Sequence, residues 1–121
     1  TLDPVKRDAM RFALAFCILS APAYADAPVV ENVTVDGDRF NVTLSHPDTG
    51  WDHYADGWEV LDAAGNRLGF REIFHPHVNE QPFTRSLSGV QIPEGTKVVY
   101  VRARCNVDGW SEDLYEVVLE E

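Results

Sequence analysis

The sequence predicts an all-β fold, an antiparallel two-sheet sandwich of about seven strands, and three observations carry that expectation. From Asp26 onward apolar residues recur at every second position, the period of a strand with one buried face. Clusters of Gly, Pro, Asn and Asp interrupt the alternation at roughly eight- to twelve-residue intervals. No segment after Asp26 carries a helical stripe of apolar residues.

The elements follow in order. Val33 and Val35 alternate with Asn32 and Thr34, and Asp36-Gly37-Asp38 turns the chain into Phe40, Val42 and Leu44, a first hairpin that Pro47-Asp48-Thr49-Gly50 ends. Trp58 and Val60 flank Glu59 on the next strand, and Gly65 in Asp62-Ala63-Ala64-Gly65-Asn66 supports a short loop before a strand with Phe70 and Glu72. Between Phe74 and Phe83, Pro76 and Pro82 remove ladder donors, which predicts an edge or a loop. Leu87, Val90 and Ile92 lead into the turn Pro93-Glu94-Gly95-Thr96. Val99, Val101, Ala103 and Cys105 form one face of the strongest strand, Tyr100, Arg102 and Arg104 the other, and Leu114 to Leu119 is the last strand.

With 45% hydrophobic and 25% charged residues among 121, the chain has the composition of a single globular domain. Its formal net charge of −10 disfavours nucleic acid or an anionic lipid surface as partner. No apolar run approaches the roughly 18 to 20 residues that span a bilayer. Met10, Arg11, the apolar run Phe12–Leu19 and the small-x-small site Ala23-Tyr24-Ala25 read as a signal peptide over residues 10–25, cleaved after Ala25. Residues 1–9 read as an over-extended N-terminus, and residues 26–121 as one exported domain, periplasmic or extracellular. That domain has 96 residues, 7 basic and 18 acidic, and Cys105 is its one cysteine, expected to be buried as a small hydrophobe.

Val101-Arg102-Ala103-Arg104-Cys105-Asn106-Val107-Asp108-Gly109-Trp110-Ser111 resembles the penultimate strand and following turn of fibronectin type III domains, with one extra residue between Ala103 and Asn106. The resemblance implies a fibronectin-like or immunoglobulin-like sandwich.

Two loops concentrate chemistry. Phe74-His75-Pro76-His77-Val78-Asn79-Glu80 holds a His-x-His pair with a nearby carboxylate, a donor set for copper or zinc whose shell His46, His53 or Glu80 would complete. The plainer reading is a rigid surface loop. Trp51-Asp52-His53-Tyr54 offers aromatic area for a sugar ring or a protein partner, or else covers the end of the sandwich. Asp48, Asp52 and Asp56 read as scattered surface charge. With no nucleophile elbow, zincin helix or phosphate loop, catalysis is not expected.

The function expected from sequence is therefore a non-catalytic, cofactor-free binding module, a monomer or weak dimer whose partner is a protein or small ligand. Trp51, His53, Tyr54, His75, His77, Glu80 and Arg85 are its candidate residues. The alternatives are a copper or zinc protein built on His75, His77, His46, His53 and Glu80, and a carbohydrate-binding module using Trp51 and Tyr54.

Overall fold

The computed structural model describes residues 27–119. The signal-peptide reading and the over-extended N-terminus lie outside the described residues. Those residues form eight strands and no helix: β1 (Val29–Asp36), β2 (Arg39–Ser45), β3 (Ala55–Leu61), β4 (Arg67–Glu72), β5 (Phe83–Leu87), β6 (Val98–Cys105), β7 (Gly109–Trp110) and β8 (Tyr115–Val118). All pairings are antiparallel, in two sheets. One has the order β1-β2-β5; the other has β4-β3-β6, with β7 and β8 both pairing along β6.

Alternation places the core as expected. Phe40, Val42 and Leu44 point inward from β2, and Val99, Val101 and Ala103 from β6, all with no exposed surface. Trp58, Val60 and Phe83 close the layer between them. Each such large apolar side chain contributes about 1.5–3 kcal/mol relative to exposure, enough in sum to hold two sheets face to face. Strand β3 is the exception to alternation, because it lies between two neighbours and is covered on both faces. Its outward Glu59 is buried, and it is neutralised by Arg67 Nε at 2.8 Å and Arg102 Nη2 at 2.6 Å.

One boundary differs from expectation. The strand expected through Leu87, Val90 and Ile92 is instead Phe83–Leu87, because Gly89 at φ +79° turns the chain out of the ladder. Val90 is still buried, its N–H donating to Asp38 O at 3.2 Å.

Two features of this frame matter for the site. The connection from β2 to β3, residues 46–54, crosses from one sheet to the other at one end of the sandwich. On arrival, Ala55 pairs with Cys105 and Gly57 with Arg104, so Asp56 is an extra residue bulged out of β3 beside the end of β6. Such bulges bend a strand and re-aim the side chains around it.

Candidate metal centre

Three chemistry-bearing side chains meet at this end of the sandwich. His46 follows the last residue of β2, His53 lies two residues before β3, and Cys105 is the last residue of β6. One ligand atom from each lies within 4.8 Å of the other two. Three atoms so spaced share a point within about 2.8 Å of each, against metal bonds of roughly 2.0–2.3 Å, so adjustments of under an ångström would seat one ion. The imidazoles meet edge to face, with centroids 4.8 Å apart.

The rings are held for ligation. His46 Nδ1 lies 2.6 Å from Asp48 Oδ1, both side chains fully buried. A carboxylate only accepts, so Nδ1 carries the hydrogen and Nε2 presents its lone pair, the arrangement found behind metal-bound histidines. Nε2 of His46 and Nε2 of His53 are both buried, with no hydrogen-bond partner among the described residues. An unpaired buried polar atom costs free energy; Trp58 Nε1 and His77 Nδ1 are also buried without a partner, and the His46 and His53 nitrogens differ from them in belonging to residues grouped with a thiol. Asp48 also accepts from the N–H of Ala55 at 3.0 Å and of His77 at 2.8 Å. The surface charge expected at Asp48 is thus corrected: it is an interior acceptor joining β3, His46 and the His77 loop. Asp56, also expected to be scattered charge, pairs with Arg104 Nε at 2.9 Å.

Cys105 is buried, as expected, but its surroundings are not those of a small hydrophobe. The N–H groups of Val107 and Asp108 donate to Sγ at 3.3 and 3.4 Å, and Asp108 Oδ2 lies 3.9 Å from Sγ and 3.7 Å from His53 Nε2. Burial pushes the thiol above its ordinary pKa, the two backbone donors pull it down in part, and the Asp108 and Asp56 carboxylates push it up. A cation in the site would reverse that balance and release the thiol proton. Asn106 fastens the turn to the histidine loop: its Oδ1 accepts from Tyr54 N–H at 2.8 Å, its Nδ2 donates to Trp51 O at 3.1 Å, and its own N–H donates to Tyr54 O at 3.1 Å.

The other candidate residues lie around this centre without joining it. Trp51 is 66% exposed and stacks edge-on against Tyr54. His75 is exposed; His77 is buried and stacked on Phe83 with ring centroids 4.0 Å apart. Arg85 Nη2 sits 2.6 Å from His77 Nε2, and since guanidinium only donates, that nitrogen is the acceptor and is closed to a metal. Burial, then the charges of Arg85 and His75, hold His77 below its ordinary pKa against the opposing pull of Glu80 and Asp48. Glu80 lies 3.8 Å from Arg85 and is largely exposed. Of the sequence-derived metal set, His46 and His53 come together, Cys105 takes the place expected for His75, His77 and Glu80, and the His-x-His loop contributes only through its backbone. Gln81 adds to that tie, accepting from His46 N–H at 2.9 Å and donating to His77 O at 2.9 Å. Cys105 was readable in one respect: like His46, it ends an apolar alternation, where a rigid strand delivers a side chain to a loop.

No family model matches the chain. A protein from Halomicrobium mukohataei that carries the provisional description of a lipoprotein is 49% identical over 72 residues. The match covers 60% of this chain and 35% of the relative, so the chain spans about a third of that protein's length. Three structures of superoxide reductase (neelaredoxin) from Ignicoccus hospitalis resemble the fold at TM-score 0.47 with 23–24% identity, over 82–84% of this chain and 84–88% of theirs.

These findings correct two expectations. The fibronectin or immunoglobulin resemblance gives way, since no family model matches the chain; the Val-Arg-Ala alternation is that of any half-buried strand, and the extra residue is accounted for by Cys105. The cofactor-free, non-catalytic module gives way to a chain in which His46, His53 and Cys105 form a group that could hold a metal ion. In the His75-Pro76-His77 loop Arg85 occupies His77 Nε2 while Nδ1 is buried without a hydrogen-bond partner, and the metal-binding alternative is better supported at His46, His53 and Cys105.

Proposed function

We propose that the domain is an exported mononuclear metal protein that holds one first-row transition ion between His46 Nε2, His53 Nε2 and Cys105 Sγ and uses it for redox chemistry. The observation that carries this is a pair of buried imidazole nitrogens without a hydrogen bond, on two histidines that each place a ligand atom within 4.8 Å of one from the other and from Cys105. Two imidazoles and a thiolate suit borderline ions such as ferrous iron, cobalt or nickel over calcium or magnesium. When bound, such an ion supplies one-electron chemistry or Lewis acidity.

The chain's own residues do the rest. Asp48 fixes the His46 ring and its tautomer. The Val107 and Asp108 N–H groups on Sγ withdraw charge from the sulfur, a device that tunes the potential of thiolate-bound ions. His53 and Asp108 keep side-chain exposures of 19% and 21%, so the centre is reached from solvent on one side. The apolar core, led by Leu44, Trp58 and Ala103, closes the sandwich behind it. Export is supported by the lipoprotein description of the Halomicrobium relative and by the apolar run before Ala23-Tyr24-Ala25.

The test is titration of the purified, reduced protein with ferrous iron and cobalt under anaerobic conditions, read by absorption and native mass. One ion per chain and a thiolate-to-metal charge-transfer band that Cys105→Ser abolishes are expected. No stoichiometric binding by the intact chain would overturn the assignment. Redox cycling of the loaded protein, with superoxide among the oxidants offered, then tests the chemistry.

A further inference from the structure

We infer that Asp108 is the fourth protein ligand of this centre, its carboxylate closing the solvent side of the His46, His53 and Cys105 set. The inference rests on the metal-centre reading above and goes beyond it in naming what controls access to the ion. Oδ2 of Asp108 stands 3.7 Å from His53 Nε2 and 3.9 Å from Cys105 Sγ, two of the three donor atoms. The 3.7 Å separation is too long for a good hydrogen bond to nitrogen, and 3.9 Å leaves only a weak one from the thiol. Both lie close to the edges of a coordination tetrahedron, about 3.3–3.8 Å for metal bonds of roughly 2.0–2.3 Å, so a shift of a few tenths of an ångström would seat the carboxylate.

The local backbone explains how the carboxylate gets there. Cys105 ends β6, and the chain reverses over Asn106, Val107 and Asp108 to Gly109, which pairs with Cys105 in the ladder and sits at φ +79°. The reversal lays Asp108 back across the sulfur, its N–H on Sγ and its carboxylate beside His53. Cys105 and Asp108 therefore form a chelating pair three residues apart on one short turn, and Asn106 locks that turn to the loop carrying His53.

The chemical consequence is specific. Thiolate and carboxylate together offset the charge of a divalent ion, and a hard oxygen beside one soft sulfur favours iron or cobalt over cuprous copper. With its side chain 21% exposed, Asp108 stands between solvent and the ion, so exchange of its oxygen controls entry of a small anionic ligand.

Cobalt-loaded wild type, Asp108→Ala and Asp108→Asn, each offered azide, separate the possibilities. Loss of the carboxylate is expected to weaken cobalt binding by at least the ~10–100-fold that loss of an outer-shell partner costs, and to shift the ligand-field bands. Azide is expected to change the spectrum of the variants and to leave wild type unchanged. Variants that bind cobalt within about threefold of wild type with its spectrum, or a wild type that takes azide as readily as they do, would remove Asp108 from the ligand set while the three-residue centre stands. A wild type that binds no cobalt would sink the centre and the inference together. The near-isosteric Asp108→Asn keeps the comparison decisive should the alanine variant fold poorly.

Discussion

Asp48 accepts three hydrogen bonds with its side chain wholly buried, and two of its donors belong to segments that deliver or flank the ligand histidines. Asp48→Asn keeps the shape and replaces one accepting oxygen by a donor facing a donor. The expected result is a loss of about 1–3 kcal/mol in unfolding free energy. A ~10–100-fold loss of metal affinity should accompany it, since the His46 tautomer is no longer fixed. Urea unfolding of the apo protein and competitive metal titration measure the two separately. The pH dependence has a definite sign at two residues. His77 is held below its ordinary value, so its contribution to stability is complete above about pH 6.5 and is lost as the pH falls and the unfolded chain takes up the proton first. The Cys105 thiol is held high, so metal must displace its proton, and the binding constant should rise by about tenfold per pH unit through the neutral range for that proton alone. Titrations at pH 6, 7 and 8 would check this.

At the scale of elements, the site is a consequence of where strands stop. Strand β6 delivers Cys105, and the turn after it carries both the N–H donors to sulfur and the Asn106 clamp on residues 51–54. Removing the Asn106 side chain by Asn106→Ala deletes two hydrogen bonds between loops, a cost of about 1–3 kcal/mol at 0.5–1.5 kcal/mol each. The cost should appear also as weaker metal binding, because the clamp fixes the loop whose own bridge, Thr49 N–H to His53 O and His53 N–H to Gly50 O, carries His53. Leu44→Ala, by contrast, lies in the core layer with no exposed surface. It should destabilise by about 2–5 kcal/mol while leaving metal binding by the folded fraction close to wild type. A variant pair that showed the opposite split would mean the turn is merely structural.

For the molecule as a whole, ligands come from both sheets: His46 follows β2 of one, and His53 and Cys105 border β3 and β6 of the other. An ion held between them ties the sheets together and binds only the folded state. At a hundredfold excess over its dissociation constant, such an ion adds about 2.7 kcal/mol, and for a domain of this size that is a rise in Tm of roughly 10–20 °C. Calorimetry with and without cobalt should show that shift in wild type and not in Cys105→Ser. Much of this architecture could be read from the chain alone. Alternation at Phe40, Val42 and Leu44 and at Val99, Val101 and Ala103, with turns between, fixes strands and their inward faces because period-two burial is a local property. The same alternation placed His46 just past the end of a strand, and His53 in the loop that follows. Their convergence on Cys105, some fifty residues further along, was decided only in three dimensions: which sheet edges adjoin and where the Asp56 bulge turns β3 depend on contacts between segments that sequence order keeps apart. For the same reason the His-x-His pair, conspicuous as a local pattern, proved to be bound up with Arg85 and Phe83, while an isolated cysteine became the centre of the site.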